Sequence, residues 1–189
     1  MAETQDLRGL KVAILALDGF EQVEMTEPRR ALQDAGADTR LVSAKPGQIQ
    51  GVHHDKPGDR FDVDMTLDQA DPDDFDAVLL PGGAMNADTL RMNPAAQRFV
   101  QTMNQKGRSF AIICHAPWLL VSAGLVKGRK LTSWPSLQDD LRNAGATWTD
   151  EPVVRDGNWV SSRKPDDIPQ FNPAMLELFA KQRQSAAAH

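Results

Sequence analysis

Residues 109–124 decide the fold of this chain, and they read Ser-Phe-Ala-Ile-Ile-Cys-His-Ala-Pro-Trp-Leu-Leu-Val-Ser-Ala-Gly. The first five residues form a short apolar run, which is typical of a strand buried on both faces of a parallel sheet. Pro117 and Gly124 stand where a helix carries its first-turn proline and its terminal glycine. The stretch therefore predicts a buried strand, a sharp turn at Cys114 and a helix.

Apolar runs of strand length and helical segments alternate on both sides of this stretch. Strands are predicted at 10–17, 37–44, 76–80, 109–113 and 130–133, and helices at 23–35, 94–107, 117–124, 136–144 and 167–184. Ser136 is expected to cap its helix. A hairpin is predicted over 153–160 with an Asp-Gly turn, and a second short one near 61–65. The alternation predicts an α/β sandwich, a mostly parallel sheet with helices on both faces.

Composition and charge limit the functional classes. The 189 residues predict a single domain over 1–189 with flexible tails at 1–9 and 182–189, and 41% hydrophobic residues are enough for a packed core. The 21 Lys and Arg are scattered and the net charge is −5, which argues against a nucleic-acid partner or an anionic membrane surface. The polar N-terminus and the single cysteine favour a cytoplasmic protein without a disulfide.

Cofactor and metal sites have little support in the sequence. The turn after the first strand, residues 18–24, is acidic and would repel a phosphate, and no glycine-rich phosphate loop is present. His53, His54 and Asp55 have no further His or Cys near them in the sequence, which makes a metal site improbable. No cofactor and no metal are expected.

Three segments that follow predicted strands contain the candidate site. In a parallel α/β sheet ligands bind beyond the carboxyl ends of the strands, so residues 18–24, 81–88 and 114–118 are expected to face one another at one rim. Cys114 at the start of a helix would have its pKa lowered towards the thiolate, the form that acts as a nucleophile. His115 is a candidate general base for it.

Carboxyl and backbone groups at the same rim complete the candidate set. A protonated carboxyl near the sulfur could donate a hydrogen bond to a thiolate, and spacing alone does not choose between Glu21 and Glu24. Gly82 and Gly83 permit backbone N–H groups to point at a developing oxyanion. Trp118, together with Trp134, is expected to line the rim.

Several motifs resemble the ThiJ/PfpI superfamily, the superfamily of the parkinsonism-associated protein, in order over about residues 10–180. They are Phe20-Glu-Gln-Val-Glu24, Val78-Leu-Leu-Pro-Gly-Gly83, Ala111-Ile-Ile-Cys-His-Ala-Pro117 and Leu131-Thr-Ser-Trp-Pro135. The closing Gly157-Asn-Trp-Val-Ser-Ser-Arg163 and Pro165-Asp-Asp167 look like the PfpI intracellular-protease and general-stress-protein branch.

This resemblance implies a flavodoxin-like three-layer sandwich with Cys114 as nucleophile in an elbow. It also implies that Glu21 is the acid beside the sulfur and that Gly83 supplies an oxyanion N–H. In the protease-like branch, an acid from a neighbouring subunit orients His115, and Asp88 is the matching position. Ala116 stands where that family commonly has glycine, and it is expected, with Gly82, Gly83 and Trp118, to form the oxyanion and substrate-binding groups.

The resemblance implies three functions that share Cys114. The preferred one is a stress-protective, cofactor-independent enzyme that acts on reactive carbonyls such as methylglyoxal or glycated groups, of the glyoxalase III or deglycase type. The alternatives are an intracellular cysteine peptidase of the PfpI type and a non-enzymatic redox-sensing stress protein or chaperone. The expected partners are a small carbonyl or peptide substrate and further copies of the chain, as a homodimer or larger homo-oligomer with Asp88 contributed across the interface.

Overall fold

The structure, a computed structural model, describes residues 5–187. Its strands are β1 (Lys11–Leu15), β2 (Phe20–Glu21), β3 (Asp38–Ser43), β4 (Gln48–His53), β5 (Lys56–Asp62), β6 (Met65–Thr66), β7 (Ala77–Leu80), β8 (Ser109–Ile113), β9 (Lys130–Leu131), β10 (Thr147–Trp148), β11 (Val154–Asp156) and β12 (Trp159–Ser162). Its α-helices are α1 (Gln22–Asp34), α2 (Ala84–Leu90), α3 (Pro94–Gln105), α4 (Pro117–Ser122), α5 (Gln138–Asn143) and α6 (Ile168–Ala187). Short 3₁₀ turns cover Pro72–Asp74, Pro135–Leu137 and Pro165–Asp167.

A seven-stranded sheet in the order β11-β12-β8-β7-β1-β3-β6 forms the centre of the molecule. Its neighbours pair in parallel, apart from β11, which runs antiparallel to β12. The predicted mostly parallel α/β sandwich is therefore confirmed. Because β1, β7 and β8 are adjacent and parallel, their carboxyl ends lie side by side at one rim.

The sheet separates two apolar cores, as a layer covered on both faces requires. On one face α1 and α6 pack together, with Leu32, Phe171 and Phe179 fully buried. On the other face α3, α4 and α5 contribute buried side chains that include Val100 and Leu141. The strands between them, such as β8, are buried along their whole length, which is why they appear in the sequence as continuous apolar runs.

The chain ends differ from the expected flexible tails. Leu7 is fully buried, and its backbone N–H donates to the Ala35 carbonyl. Arg183 on α6 donates to the Asp6 carbonyl, and α6 continues to Ala187. Both segments are held because Leu7 belongs to the same buried cluster as Leu32 of α1 and Phe179 of α6. The rest of the expected tails, residues 1–4 and 188–189, lies outside the described residues.

Three local elements differ from the sequence-based predictions. The hairpin expected near 61–65 is formed by β4 and β5, which turn at His54 and Asp55, and it pairs with β2 in a small second sheet. Helix α2 was not predicted. Ser136 does not cap a helix, because a 3₁₀ turn precedes α5 and no side-chain cap is made at its start.

Among residues 5–187, no helix combines the length and the apolar character needed to cross a membrane.

Candidate active site

The three predicted rim segments meet at a cavity of about 420 Å³. Residues Gly19 and Glu21 come from the first segment, Gly83 to Met85 from the second, and Cys114 and His115 from the third. The hairpin tip adds Val52, His54 and Asp55, and the remaining walls are Trp134 and Pro165.

Cys114 occupies a strained turn between β8 and α4. Its φ of +65° is a left-handed conformation, which is uncommon for a residue with a side chain. The surrounding backbone fixes it: the Cys114 N–H donates to the Ser162 carbonyl, and the Cys114 carbonyl accepts from the Trp134 N–H. The turn places the sulfur on the wall of the cavity, as in a nucleophile elbow, and the rest of the residue is buried, with 5% of its surface exposed.

Glu24 is the carboxyl that lies against the sulfur. It is fully buried, and its Oε1 accepts the Gly82 N–H at 3.0 Å. Its Oε2 is buried and, in the part of the chain that the structure describes, has no hydrogen-bond partner apart from the Cys114 side chain, with which the Glu24 carboxyl interacts. Burial, reinforced by the charge of Glu21, raises the pKa of Glu24 to about 8. Glu24 is therefore protonated at neutral pH.

Glu21 faces the hairpin instead. Its two carboxylate oxygens accept the His54 N–H at 3.2 and 3.1 Å. The assignment of Glu21 as the acid beside the sulfur is therefore wrong. The physical reason is the start of α1 at Gln22, which turns the side chain of Glu24 inward under Gly82 while Glu21 remains on β2 beside the hairpin.

The pKa of the Cys114 thiol is raised, contrary to the expectation from its place before a helix. Burial is the main cause, and the neighbouring Glu24 adds to it. The backbone N–H groups of Gly83 and His115 lie near the sulfur, favour its charged form and oppose the shift without cancelling it. The resting sulfur is thus a thiol that needs a base when it attacks.

His115 is placed to be that base. Its Nδ1 lies 3.1 Å from Cys114 Sγ, and burial lowers its pKa, so the imidazole is neutral at pH 7 and can accept a proton. The ring stacks on Trp134 at a centroid distance of 5.6 Å and meets the edge of Trp118 at 5.4 Å. Trp118 does not line the cavity as expected; its indole N–H donates to Asp140, and its ring supports His115.

Some backbone N–H groups near the sulfur already donate to another group of the protein, whereas others face the cavity. The Gly82 N–H is taken by Glu24, so Gly82 is not the oxyanion donor that the sequence suggested. Ala116 is buried, donates its N–H to the Ile113 carbonyl and does not line the cavity. Gly83, at φ +91°, lines the cavity and directs its N–H at the sulfur.

Asp88 is exposed on α2 and does not line the cavity. Within the described residues the side-chain hydrogen bond of His115 is to Cys114, and no carboxylate of the same chain orients the ring. The contribution of Asp88 across a subunit interface stays a prediction. No group of three or more His, Cys, Asp or Glu in residues 5–187 is placed to hold a metal ion.

Sequence reasoning missed the hairpin wall of the site, His54 and Asp55. Residues 53–59 lack the alternation that marks a strand, and His54 and Asp55 were considered only as metal ligands, so the sequence did not place them at the rim. For the acid beside the sulfur, the sequence offered Glu21 and Glu24 as alternatives, but their spacing did not decide between them.

Comparison with known proteins extends the likeness over nearly the whole chain. The family model described as DJ-1/PfpI family matches residues 10–178. The protein named Deglycase TK1284, from Thermococcus kodakarensis, is 44% identical over 159 residues, which cover 84% of this chain and 93% of that protein. The protein named Putative cysteine protease YraA, from Bacillus subtilis, is 36% identical over 169 residues, covering 89% of this chain and 97% of that protein.

A solved structure gives the same result for the fold. Drosophila melanogaster DJ-1beta superposes with a TM-score of 0.82 at 27% identity, covering 95% of this chain and 96% of that one. Together with the elbow at Cys114, these matches show that the chain belongs to the DJ-1/PfpI family.

Proposed function

We propose that this protein is a cysteine-dependent, cofactor-independent enzyme of the deglycase or glyoxalase type that acts on reactive carbonyls. The observation that carries the proposal is the contact of Cys114 Sγ with the neutral His115 Nδ1 at 3.1 Å, on the wall of a cavity of about 420 Å³. A relative 44% identical is named a deglycase, which supports the same chemistry.

The first step is addition of the sulfur to an aldehyde carbon. Sγ forms a bond to carbon while its proton passes to His115 Nδ1, and the carbonyl electron pair moves to oxygen, which takes up a proton to give a hemithioacetal. The Gly83 N–H lies at the sulfur and is placed to stabilise the oxygen as charge develops. Protonated Glu24 holds the sulfur in position and adds no charge that would oppose the attack.

With a dicarbonyl such as methylglyoxal, the next step moves a proton between the two carbons. Neutral His115, which is regenerated after the addition, accepts the proton from the sulfur-bearing carbon to give an enediol and returns it to the neighbouring carbon. The hydroxyl proton of the first carbon moves to the oxygen of the second. The product is a thioester of a hydroxy acid, and water releases the acid and restores the thiol. One methylglyoxal and one water give one lactate, so no oxidant, reductant or glutathione is consumed.

The test is lactate formation from methylglyoxal by purified protein without glutathione or added metal. We expect Cys114→Ser and His115→Gln to lower kcat/KM by about 100-fold or more, since each removes a group of the addition step. His53→Gln, a histidine exposed on the hairpin outside the cavity, is the matched control and should keep the wild-type rate. Turnover that survives in Cys114→Ser would contradict the proposal.

Peptide hydrolysis is the second candidate, favoured by the relative named a putative cysteine protease. Within residues 5–187 of a single chain no acidic side chain hydrogen-bonds His115, and Asp88 lies outside the cavity, so these residues alone do not assemble a peptidase triad. Cleavage of unfolded casein that depends on Asp88 would support it.

For the redox-sensing alternative, peroxide should add two oxygens to Cys114 in the intact protein, as mass spectrometry would show.

We further propose a homodimer or larger homo-oligomer in which Asp88 reaches His115 of a second copy. The large apolar side chains of Met85 and Met92 are 64% and 75% exposed on either side of Asp88, which supports a contact surface there. Light scattering should then give at least twice the 20.8 kDa chain mass.

The single cysteine without a disulfide partner supports a cytoplasmic location, and removal of reactive carbonyls supports a stress-protective role.

A further inference from the structure

We propose that Glu21 and Asp55 make the Cys114 cavity select positively charged substrates over negatively charged ones. The inference rests on the proposed function, in which Cys114 is the nucleophile, and adds a charge preference that neither the fold nor the elbow requires.

The charges around the cavity have one sign. Its lining includes the carboxylates of Glu21 and Asp55, and no lysine or arginine of residues 5–187 lines it. The two histidines of the lining are His54 and His115, and His115 is neutral because burial lowers its pKa. Glu24, although acidic, is protonated and buried behind the sulfur. Within residues 5–187 of one chain, a ligand at Cys114 therefore meets the two negative charges of Glu21 and Asp55, and the Asp88 proposed to come from a second copy would add a charge of the same sign.

The carboxylate of Glu21 is held by a hydrogen bond, and its charge affects the groups next to Cys114. Both of its carboxylate oxygens accept the His54 N–H, whose residue has a φ of +63° at the hairpin tip. Its charge contributes to raising the pKa of Glu24, the carboxyl next to the sulfur. The electrostatic influence of Glu21 therefore reaches the place where the substrate carbonyl would be bound.

Asp55 lines both the Cys114 cavity and a second cavity that offers room for the rest of a substrate. A second cavity of about 400 Å³ adjoins the first along the hairpin, and the two share Gly19, Val52, Asp55 and Met85. The other charged groups of the second cavity are Asp18 and Arg60, one of each sign, so Asp55 leaves an excess of negative charge. A carbonyl at Cys114 whose carrier group has an ammonium or guanidinium would place that cation beside Asp55.

The first experiment uses Cys114 as a probe, since it is the single cysteine of the chain. The rates of its modification are compared for two methanethiosulfonates of similar size, the cationic 2-(trimethylammonium)ethyl and the anionic 2-sulfonatoethyl reagent. In each reaction a disulfide bond forms to Sγ and methanesulfinate leaves. We expect the cation to react about tenfold faster than the anion at low salt, with the ratio falling at high salt.

The variants Glu21→Gln and Asp55→Asn should each lower that ratio at least about threefold. Glutamine keeps an oxygen that can accept the His54 N–H, so the hairpin tip is retained. Asp62→Asn is the matched control, because Asp62 is an exposed carboxylate of the same hairpin that does not line either cavity, and the ratio should stay at the wild-type value. A wild-type ratio near one, or a ratio unchanged in both cavity variants, overturns the inference.

The second experiment measures turnover of phenylglyoxals that carry a trimethylammonio or a carboxylate substituent. The ratio of kcat/KM for cation over anion is taken for each variant relative to wild type, which cancels the intrinsic reactivity of the two aldehydes. Turnover that depends on Cys114 without a charge preference would overturn the inference and leave the proposed function standing. A charge preference in thiol modification without any turnover would support the inference about the cavity and contradict the proposed function.

Discussion

At the scale of single residues, the chemistry of the site depends on which groups around the Cys114 sulfur carry protons. Cys114 and Glu24 are both buried, both have raised pKa values and lie against each other, so the pair retains its protons at neutral pH. His115, which lies beside the sulfur, is neutral and can accept a proton at Nδ1. The reaction therefore starts from a protonated Cys114 thiol in contact with a base, and not from a thiolate formed in advance.

The first residue-scale prediction concerns Glu24 and the hydrogen bond to Gly82. Glu24→Gln keeps an oxygen for the Gly82 N–H and a donor towards the sulfur, and we expect it to retain activity within about tenfold of wild type. Glu24→Ala leaves the buried Gly82 N–H without a partner, which costs about 1–3 kcal/mol, and should lower activity much further. Methylglyoxal turnover and chemical denaturation of both variants check this order; equal losses would show that hydrogen bonding by Glu24 is not what matters.

The second concerns pH. With a folded-state pKa of about 8 against the ordinary 4.5, Glu24 binds a proton in the folded protein that the unfolded chain has released between those values. Its stabilising contribution is complete below about 4.5 and is lost as the pH rises to 8, at up to about 1.4 kcal/mol per pH unit. Urea denaturation of wild type and Glu24→Gln from pH 5 to 8 should show the wild type losing stability relative to the variant. Parallel pH profiles would contradict a protonated Glu24.

The residues also show what the sequence can and cannot predict about the site. Cys114 was predictable because an apolar strand, a turn and a helix proline surround it within nine residues, 109–117. Glu24 was not, because it and Glu21 are three residues apart at the same rim and differ only in which one the start of α1 turns inward. The raised pKa of Cys114 depends on burial by distant segments, which local sequence does not reveal.

At the scale of elements, the turn between β7 and α2 sets how closely the rim segments approach. A methyl group on Gly82 would lie 2.5 Å from Glu24 Oε1 and 2.6 Å from Cys114 Cβ. One on Gly83 would lie 2.6 Å from the Glu21 backbone nitrogen and 2.8 Å from Phe20 Cα. Glycine is required at these positions because β2 and the elbow contact the backbone of the turn directly.

Gly83→Ala and Gly124→Ala form a matched pair that tests this. Their φ angles are +91° and +75°, so both substitutions strain the backbone. Apart from the residues next to Gly124 in the chain, no atom of the described residues lies within 4 Å of the methyl group that would be added there. We expect Gly124→Ala to cost about 1 kcal/mol and Gly83→Ala about 1–3 kcal/mol more, with loss of activity in the second alone. Thermal unfolding measures the difference, and equal costs would show that the turn has room to move.

Whether a strand could be predicted from the sequence depended on how much of it is buried. Strands β1, β7 and β8 were predicted because burial on both faces demands continuous apolar residues. The hairpin of β4 and β5 was misplaced because β5, with Pro57 and Gly58, is mostly exposed and lacks alternation. Its place is set by pairing with β2 and by the Glu21 contact to His54, which are non-local.

At the scale of the whole molecule, the N-terminal segment and α6 close one face of the sandwich. Leu7 is fully buried among the residues of this core, and the backbone of Asp6 accepts a hydrogen bond from Arg183. The two ends of the chain therefore stabilise each other and the helix α1 between them.

Leu7→Ala should accordingly destabilise the protein by about 2–5 kcal/mol, as truncation of a buried leucine does. Leu176→Ala, at a half-buried position on α6, is the control and should cost clearly less. Denaturant unfolding with a common slope gives both values. A cost for Leu7→Ala no larger than that of the control would mean that the segment behaves as a free tail after all.

The imidazole of His115 lies between two indole rings, and this gives the molecule an optical reporter of its own chemistry. A protonated imidazole in contact with an indole quenches its emission, whereas a neutral one does so much less. Tryptophan fluorescence should therefore dim on acidification with a midpoint below 6.5, the ordinary value of histidine, because burial lowers the pKa of His115. Since Trp134 also borders the cavity, the same signal can follow a ligand as it binds, without any label.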